Sequence, residues 1–190
     1  MDRSIFNAFE QALGKHNVLA GAADCIAYGF DNSSYRQNPA MVLLPTSTQQ
    51  VLDAVKLARQ FKLPLTARGR GTNTTGASVP VANGIVMSFE RMNQILRIAP
   101  DDRIAVVQPG VLNGDLQNAL AAFALFWPPD PTSSPYCSIG GNIACNAGGP
   151  RAVKYGATRD NILALKAVTG SGELVEFGSS NTKNASGFDL

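Results

Sequence analysis

Ser138-Ile139-Gly140-Gly141-Asn142-Ile143-Ala144-Cys145-Asn146-Ala147-Gly148-Gly149 is the stretch around which the rest of the chain is organised. Four of its twelve residues are glycine and three more are Ser or Ala, with Asn142 and Asn146 set between the paired glycines. No packed helix or strand needs that composition. Glycine has no Cβ, so a second body can come close to the backbone, and a run of exposed N–H groups can cradle an anion. Two readings stand at this point: a wall built against a phosphate-bearing ligand, or an ordinary glycine-rich turn.

Upstream, Trp127 to Pro135 carries four prolines and reads as a rigid, non-helical crossing into the stretch. Before it, residues 113–124 read as a helix with Leu116, Leu120 and Phe123 on one face and Asp115 in the first turn. Nearer the N-terminus, residues 41–44 are a short apolar strand. Thr46-Ser47-Thr48-Gln49-Gln50 is a capping box opening a helix to about Phe61, and residues 63–67 are a second strand. Strand, helix and strand in that space predict a right-handed βαβ unit whose two strands pair in parallel. Residues 85–89, 95–99 and 104–108 follow as short strands. At the start of the chain, residues 4–13 are helical in spacing and end at Gly14, and residues 21–39 read as a long irregular loop. Beyond Gly149, residues 161–169 and 174–177 form a hairpin about Gly170-Ser171-Gly172. Residues 178–187 read as a loop, with no closing element after it.

Composition narrows the function classes. The 190 residues, 45% of them hydrophobic, suit one domain with a real core or two small lobes. A net charge of +2 with no block of like charge gives no case for nucleic acid or an anionic membrane. The three cysteines, Cys25, Cys137 and Cys145, form no CxxC pair and read as reduced thiols rather than a disulfide framework or zinc site. The single histidine, His16, leaves a Ser-His-Asp triad or a His-based metal site without support in this chain. The N-terminus lacks a basic-then-apolar leader and no apolar run reaches membrane-spanning length. A cytoplasmic protein is expected, or one peripheral to a membrane through partners.

A second glycine-rich loop, Arg68-Gly69-Arg70-Gly71-Thr72-Asn73-Thr74-Thr75-Gly76-Ala77, follows the βαβ unit directly. It fails the Rossmann fingerprint, because Thr74 stands where the third glycine belongs. It fails the P-loop, because Ala77 stands where the lysine must be. What remains is a loop of backbone donors, hydroxyls and two arginines, suited to a diphosphate held without metal. Two such loops about seventy residues apart suggest a long ligand gripped from both sides, and a dinucleotide cofactor has that shape.

Arg68-Gly69-Arg70-Gly71-Thr72 after a βαβ unit, Val107-Gln108-Pro109-Gly110-Val111, Asp130-Pro131-Thr132-Ser133, Ser138-Ile139-Gly140-Gly141-Asn142, Asn146-Ala147-Gly148-Gly149 and Lys154-Tyr155-Gly156 occur in that order. Together they resemble the FAD-binding domain of the vanillyl-alcohol-oxidase or PCMH type. Within it they are most similar to the branch of glycolate oxidase FAD subunits and D-lactate dehydrogenases. The resemblance covers roughly residues 38–190, with 1–37 as an N-terminal helix and lead-in loop.

The resemblance implies an α+β fold. A small βαβ lobe (about 38–98) and a larger lobe with an antiparallel or mixed sheet and flanking helices (about 99–190) would clasp FAD. It places Arg68, Gly69, Arg70, Gly71, Thr72, Asn73 and Gly76 at the pyrophosphate, and Pro131, Thr132 and Ser133 along the flavin and ribityl chain. Ser138, Gly140, Gly141, Asn142, Asn146, Gly148 and Gly149 would pack on the pyrophosphate and isoalloxazine side. Tyr155 and Gly156 would shape the same wall, and the strand ending at Val168 would offer backbone to the adenine. Residues 71–76 lack the histidine through which some relatives tether flavin, so FAD should be held non-covalently, with Cys137 a buried thiol.

The implied activity is FAD-dependent oxidation of a 2-hydroxy acid such as D-lactate or glycolate, with hydride passing from substrate Cα to flavin N5 and an electron-acceptor subunit or quinone as partner. The family continues beyond Leu190 into a substrate domain carrying the carboxylate-binding groups and the base. On this expectation the chain is an N-terminal part, inactive alone. A peptidoglycan-precursor reductase of the same fold is the nearer enzyme rival. A non-catalytic FAD-binding or partner subunit of a multi-subunit complex is the rival of another class.

Overall fold

In the computed structural model, which describes residues 2–179, the chain opens with α1 (Arg3–Leu13). Asp2 caps it by accepting from the Ser4 N–H, and Gly14 ends it. Ile5, Phe6, Phe9, Ala12 and Leu13 pack on one core, with Phe9 and Leu13 buried. Each buried side chain of that size contributes roughly 1.5–3 kcal/mol by leaving water. β1 (Val18–Leu19) and α2 (Ala22–Ile26) follow, then β2 (Met41–Leu43), α3 (Thr48–Gln60), β3 (Leu65–Arg68) and β4 (Ile85–Ser88). At the start of α3 the Ser47 hydroxyl accepts the Gln50 N–H at 3.3 Å. The returning Gln50 side chain accepts from the Thr46 N–H at 2.8 Å, one residue earlier than a capping box requires.

The sheet runs in the order β1-β2-β4-β3. β2 and β3 are each parallel to β4, and β1 is antiparallel to β2. The expected direct pair of β2 with β3 does not form, because β4 lies between them. Burial accounts for this: all four residues of β4 are buried, whereas β3 is largely part-exposed and suits an edge. β2 is apolar on both faces for the same reason. Met41 and Leu43 pack under α1 and α3, while Val42 and Leu44 meet Cys25, Val86 and Tyr28 on the opposite face. Residues 21–39 therefore cover one side of the sheet. They are not wholly irregular, since they include α2 and a bridge between Phe30 and Arg36.

The second unit starts with an antiparallel hairpin, β5 (Ile95–Ala99) and β6 (Ile104–Val107), so the expected lobe boundary near residue 98 falls inside β5. α4 (Asn113–Ala121) and α5 (Ile139–Ala144) pack with it around Val111, Leu116, Leu120, Trp127 and Ile139. α4 stops short of residue 124: Ala124 takes φ 54°, and Phe123, expected on the buried face, is 47% exposed. After α6 (Ala152–Tyr155), the expected hairpin forms from β7 (Ala164–Val168) and β8 (Leu174–Gly178). It leans on the first unit, with Val168 against the α1–α3 core and Arg59 donating to the Ser171 carbonyl at 3.0 Å. Most of the expected C-terminal loop and the last residues, 180–190, lie outside the described residues.

Candidate cofactor site

The first glycine-rich loop leaves the sheet at the end of β3, and its shape is set by Arg68. That side chain is only 7% exposed. Its guanidinium donates to the carbonyls of Phe30 (2.7 Å) and Ala27 (3.3 Å) and to the Ser78 hydroxyl (3.4 Å), and lies 5.9 Å from the centre of the Tyr28 ring. Burial pulls its pKa below the ordinary arginine value, opposed by Asp31, Tyr28 and Glu90, and it remains a cation. Gly71, at φ 65°, turns the loop back over this group, and a Cβ there would run into the guanidinium. Arg68 thus anchors the loop from beneath and spends its donors on the lead-in segment.

Above that anchor the loop keeps its own donors free. Among the described residues no protein acceptor takes the backbone N–H of Gly69, Arg70, Gly71, Thr72, Asn73, Thr74 or Thr75. Arg70, Thr74 and Thr75 are exposed and the others half-buried, so this row is open to water or a ligand. Two of its carbonyls and one of its side chains are tied to Asp31 and Asn32. Asn32 donates to the Thr72 and Asn73 carbonyls at 3.2 and 3.0 Å, and Asn73 donates to the Asp31 carboxylate at 2.7 Å. Burial alone would raise the Asp31 pKa, but hydrogen bonds from Ser33, Asn73 and Ser78 outweigh it and hold the carboxyl below its ordinary value. Asn73, Thr72 and Gly76 therefore belong to one loop built against residues 27–35. Arg70 is exposed, and Gly76 rests on the Tyr35 ring.

The second stretch behaves differently from its expected reading. Residues 139–144 form α5, capped by the Ser138 hydroxyl on the Gly141 N–H at 3.2 Å. Its remaining early donors are also taken. Ile139 donates to the Val111 carbonyl, Gly140 to Pro109 and Asn142 to Ser138, each at 2.8 Å. An anion cradle made from residues 139–142 is thus ruled out by the hydrogen bonds. The glycines serve close packing instead. A Cβ on Gly140 would meet Pro109 at 2.8 Å, and one on Gly149, at φ 142°, would run into Asp130. Gly141 and Gly148 are the exceptions: a Cβ on Gly141 meets only Ser138 Oγ at 3.2 Å and one on Gly148 only the Ala152 Cβ at 3.6 Å, so each leaves an open side.

The two loops touch. A Cβ on Gly69 would run into Ser138 Oγ and would lie 3.7 Å from the Gly141 backbone. Gly69, the first residue of the donor loop, therefore lies against Ser138 and the backbone of Gly141. Several other expected residues are tied into their own local contacts. Asn142 is buried, with its carboxamide on Cys137 Sγ (3.5 Å) and Asn113 (3.4 Å). Asn146 takes φ 45° after α5 and accepts the Arg159 N–H at 2.9 Å. Pro131 and Ser133 accept in a turn that ends at Cys137, and Thr132 is exposed. Gly148 stands 3.6 Å from Ala152 by the same Cβ measure. Tyr155 stacks edge-on against Phe126 at 5.2 Å, beside an open hollow of about 470 Å³ that Gln117, Leu125 and Arg151 also line. Gly156 closes α6 at φ 79°. Val168 packs on the first core.

Sequence reasoning missed Asp31, Asn32 and Ser78, whose only signal was polarity inside a loop. It quoted Asp130 without a role, yet that carboxylate accepts the Arg151 N–H at 3.0 Å and pairs with the Arg151 side chain at 3.4 Å. Among the described residues no group of three or more His, Cys, Asp or Glu could hold a metal, and no helix is long and apolar enough to cross a membrane.

A family model described as "FAD binding domain" matches residues 39–178. Glycolate oxidase subunit GlcD of Bacillus subtilis (strain 168) is 36% identical over 181 residues, covering 95% of this chain and 38% of that protein. D-2-hydroxyglutarate dehydrogenase of Stutzerimonas stutzeri (strain A1501) is 36% identical over 190 residues, covering 100% of this chain and 41% of that protein. The chain thus spans about two fifths of these relatives. Among solved structures, an alkyldihydroxyacetonephosphate synthase superposes with a TM-score of 0.85 at 23% identity, over 93% of this chain and 34% of that one, which establishes the α+β fold. With the family model matched from residue 39 to residue 178, the chain belongs to the FAD-binding-domain family.

Proposed function

We propose that this chain is the FAD-holding part of an oxidoreductase of 2-hydroxy acids, with the cofactor bound non-covalently. The observation that carries the reading is the row of free N–H groups at residues 69–75, whose first residue, Gly69, lies against the open backbone of Gly141. Seven donors in one loop match a diphosphate without a metal or a P-loop lysine. The close approach at Gly141 suits a flat ring laid on bare backbone. FAD, when bound, supplies the two-electron acceptor that the oxidation of a hydroxy acid requires. The residues here hold and orient it: Arg68 from below, the donors of residues 69–75 along its phosphates, and the α5 wall on the other side. The hydroxy-acid class is supported by relatives named as glycolate oxidase and D-2-hydroxyglutarate dehydrogenase, and D-lactate is a further candidate. The carboxylate-binding group, the base and the electron-acceptor partner are assigned to none of the residues described.

The test has two arms. The purified chain is titrated with FAD and passed through a desalting column, and flavin absorbance is read against protein. Release of all flavin on denaturation is expected, and its retention on the denatured chain would refute non-covalent binding. The whole protein carrying this chain is then assayed with glycolate, D-lactate and D-2-hydroxyglutarate against a dye acceptor. Turnover of at least one is expected, and turnover of none by a flavin-loaded protein would refute the substrate class.

A further inference from the structure

We propose that Asp31 is a positioning residue for the cofactor loop, and that the segment Phe30–Asn32 is the template that turns the loop's donors outward. This rests on the FAD reading above. The family model begins at residue 39, so the template lies outside the matched region.

Peptide geometry supplies the reason. In a trans peptide the C=O of one residue and the N–H of the next point in opposite directions. Asn32 fixes the carbonyls of Thr72 and Asn73 on its own side, at 3.2 and 3.0 Å. The N–H groups of Asn73 and Thr74 are thereby directed away from Asn32. Asp31 locks the arrangement. It is 3% exposed, accepts the Ser33 N–H at 2.8 Å within its own segment, and accepts the Asn73 carboxamide at 2.7 Å across to the loop. Arg68 closes the circuit by donating to the Phe30 carbonyl at 2.7 Å. Every tie uses a carbonyl or a side chain of the loop, and none consumes a backbone N–H between Gly69 and Thr75. A carboxylate close to a phosphate site would repel it if it stood in the site. Buried beside Arg68, it shapes the loop without touching the ligand. Without the template the loop samples other conformations, and affinity falls by the fraction of time it is correctly formed.

FAD affinity of the full chain tests this, measured by flavin fluorescence together with the melting temperature of the FAD-free protein. Asp31→Asn removes the charge and sets amide against amide at Asn73, and should weaken FAD about tenfold. Asn32→Ala, at an exposed position, removes only the side-chain tie to Thr72 and should weaken FAD about threefold. Gln50→Ala serves as the control, because it loses its bonds to Thr46 and Leu13 far from the loop. It should melt earlier yet keep FAD affinity within about twofold. A merely structural Asp31 would lower melting temperature and leave affinity on the Gln50→Ala line. If Asp31→Asn does not fold, Asn32→Ala decides alone. Wild-type affinity in the folded variants overturns the template while leaving the cofactor reading intact. A wild-type chain that takes up no FAD overturns both.

Discussion

The contact between Gly69 and Ser138 can be tested without any cofactor. A Cβ on Gly69 would occupy the place of Ser138 Oγ, while its other neighbours, at 3.7 Å, are at ordinary contact distance. Gly69→Ala therefore forces one event. The Ser138 hydroxyl must rotate away, and the Gly141 N–H loses its cap at 3.2 Å. Loss of an N-cap costs about 1 kcal/mol, and if the hydroxyl cannot move the overpacking cost rises to about 3 kcal/mol. Ser138→Ala removes the same cap for about 1 kcal/mol. In that background the added methyl meets no hydroxyl and should cost close to nothing. The double variant is thus expected to lose about 1 kcal/mol, not the sum of 2 to 4, giving a coupling of about 1 to 3 kcal/mol. The entropy gain of Gly→Ala in the unfolded chain appears in both backgrounds and cancels. Urea unfolding followed by Trp127, the single tryptophan and a member of the second core, reports the numbers. Losses that add to within about 0.3–0.5 kcal/mol would show that the two loops do not touch.

Gly141→Val should lower FAD affinity more than about tenfold with a melting temperature within a few degrees of wild type, since its side chain enters open space except at Ser138. Full flavin occupancy after desalting would put the ligand elsewhere. Gly149→Ala, at φ 142° and against the Asp130 backbone, should cost about 2 kcal/mol or more by urea unfolding, and a neutral result would refute that packing. Tyr28 donates to Glu90 at 3.0 Å, and burial first, then the Glu90 charge, raises its pKa from 10.0 to about 12. A raised value means the contribution is complete below pH 10 and lost as pH climbs towards 12, so Tyr28→Phe should abolish that alkaline step in a stability profile. Asp31 is lowered, so its contribution is present above 3.8 and lost as pH falls below it. An acid limb unchanged in Asp31→Asn would contradict this.

Much of the fold was legible because it is local. α1 and α3 follow from apolar spacing and their caps, and β2 and β4 from short apolar runs that could only be buried. The order of strands was not legible, since the insertion of β4 between β2 and β3 is decided by which strand needs cover on both edges. The stretch 138–149 shows the other limit. Its glycines argue against a helix by propensity, yet α5 forms because Ser138 caps it and Val111 and Pro109 accept its first donors. Arg68 illustrates the same point for the site. Its position in the motif was readable, but the direction of its guanidinium depends on Phe30 and Ala27, some forty residues earlier. Asp31 was hidden for a related reason: a lone acid in a polar loop has no local signature until its partners fold onto it.

The 42-residue separation between Asp31 and Asn73 also carries a meaning in time. Chains are synthesised from the N-terminus at roughly 5–20 residues per second. Asp31 and Asn32 are therefore made about 2 to 8 seconds before the loop they hold. Ser138 follows later still, so the wall that meets Gly69 arrives at a loop whose donors can already be set. A circular permutant opened between residues 38 and 41 would reverse the order of synthesis of the first pair, delaying the template until after the loop it shapes.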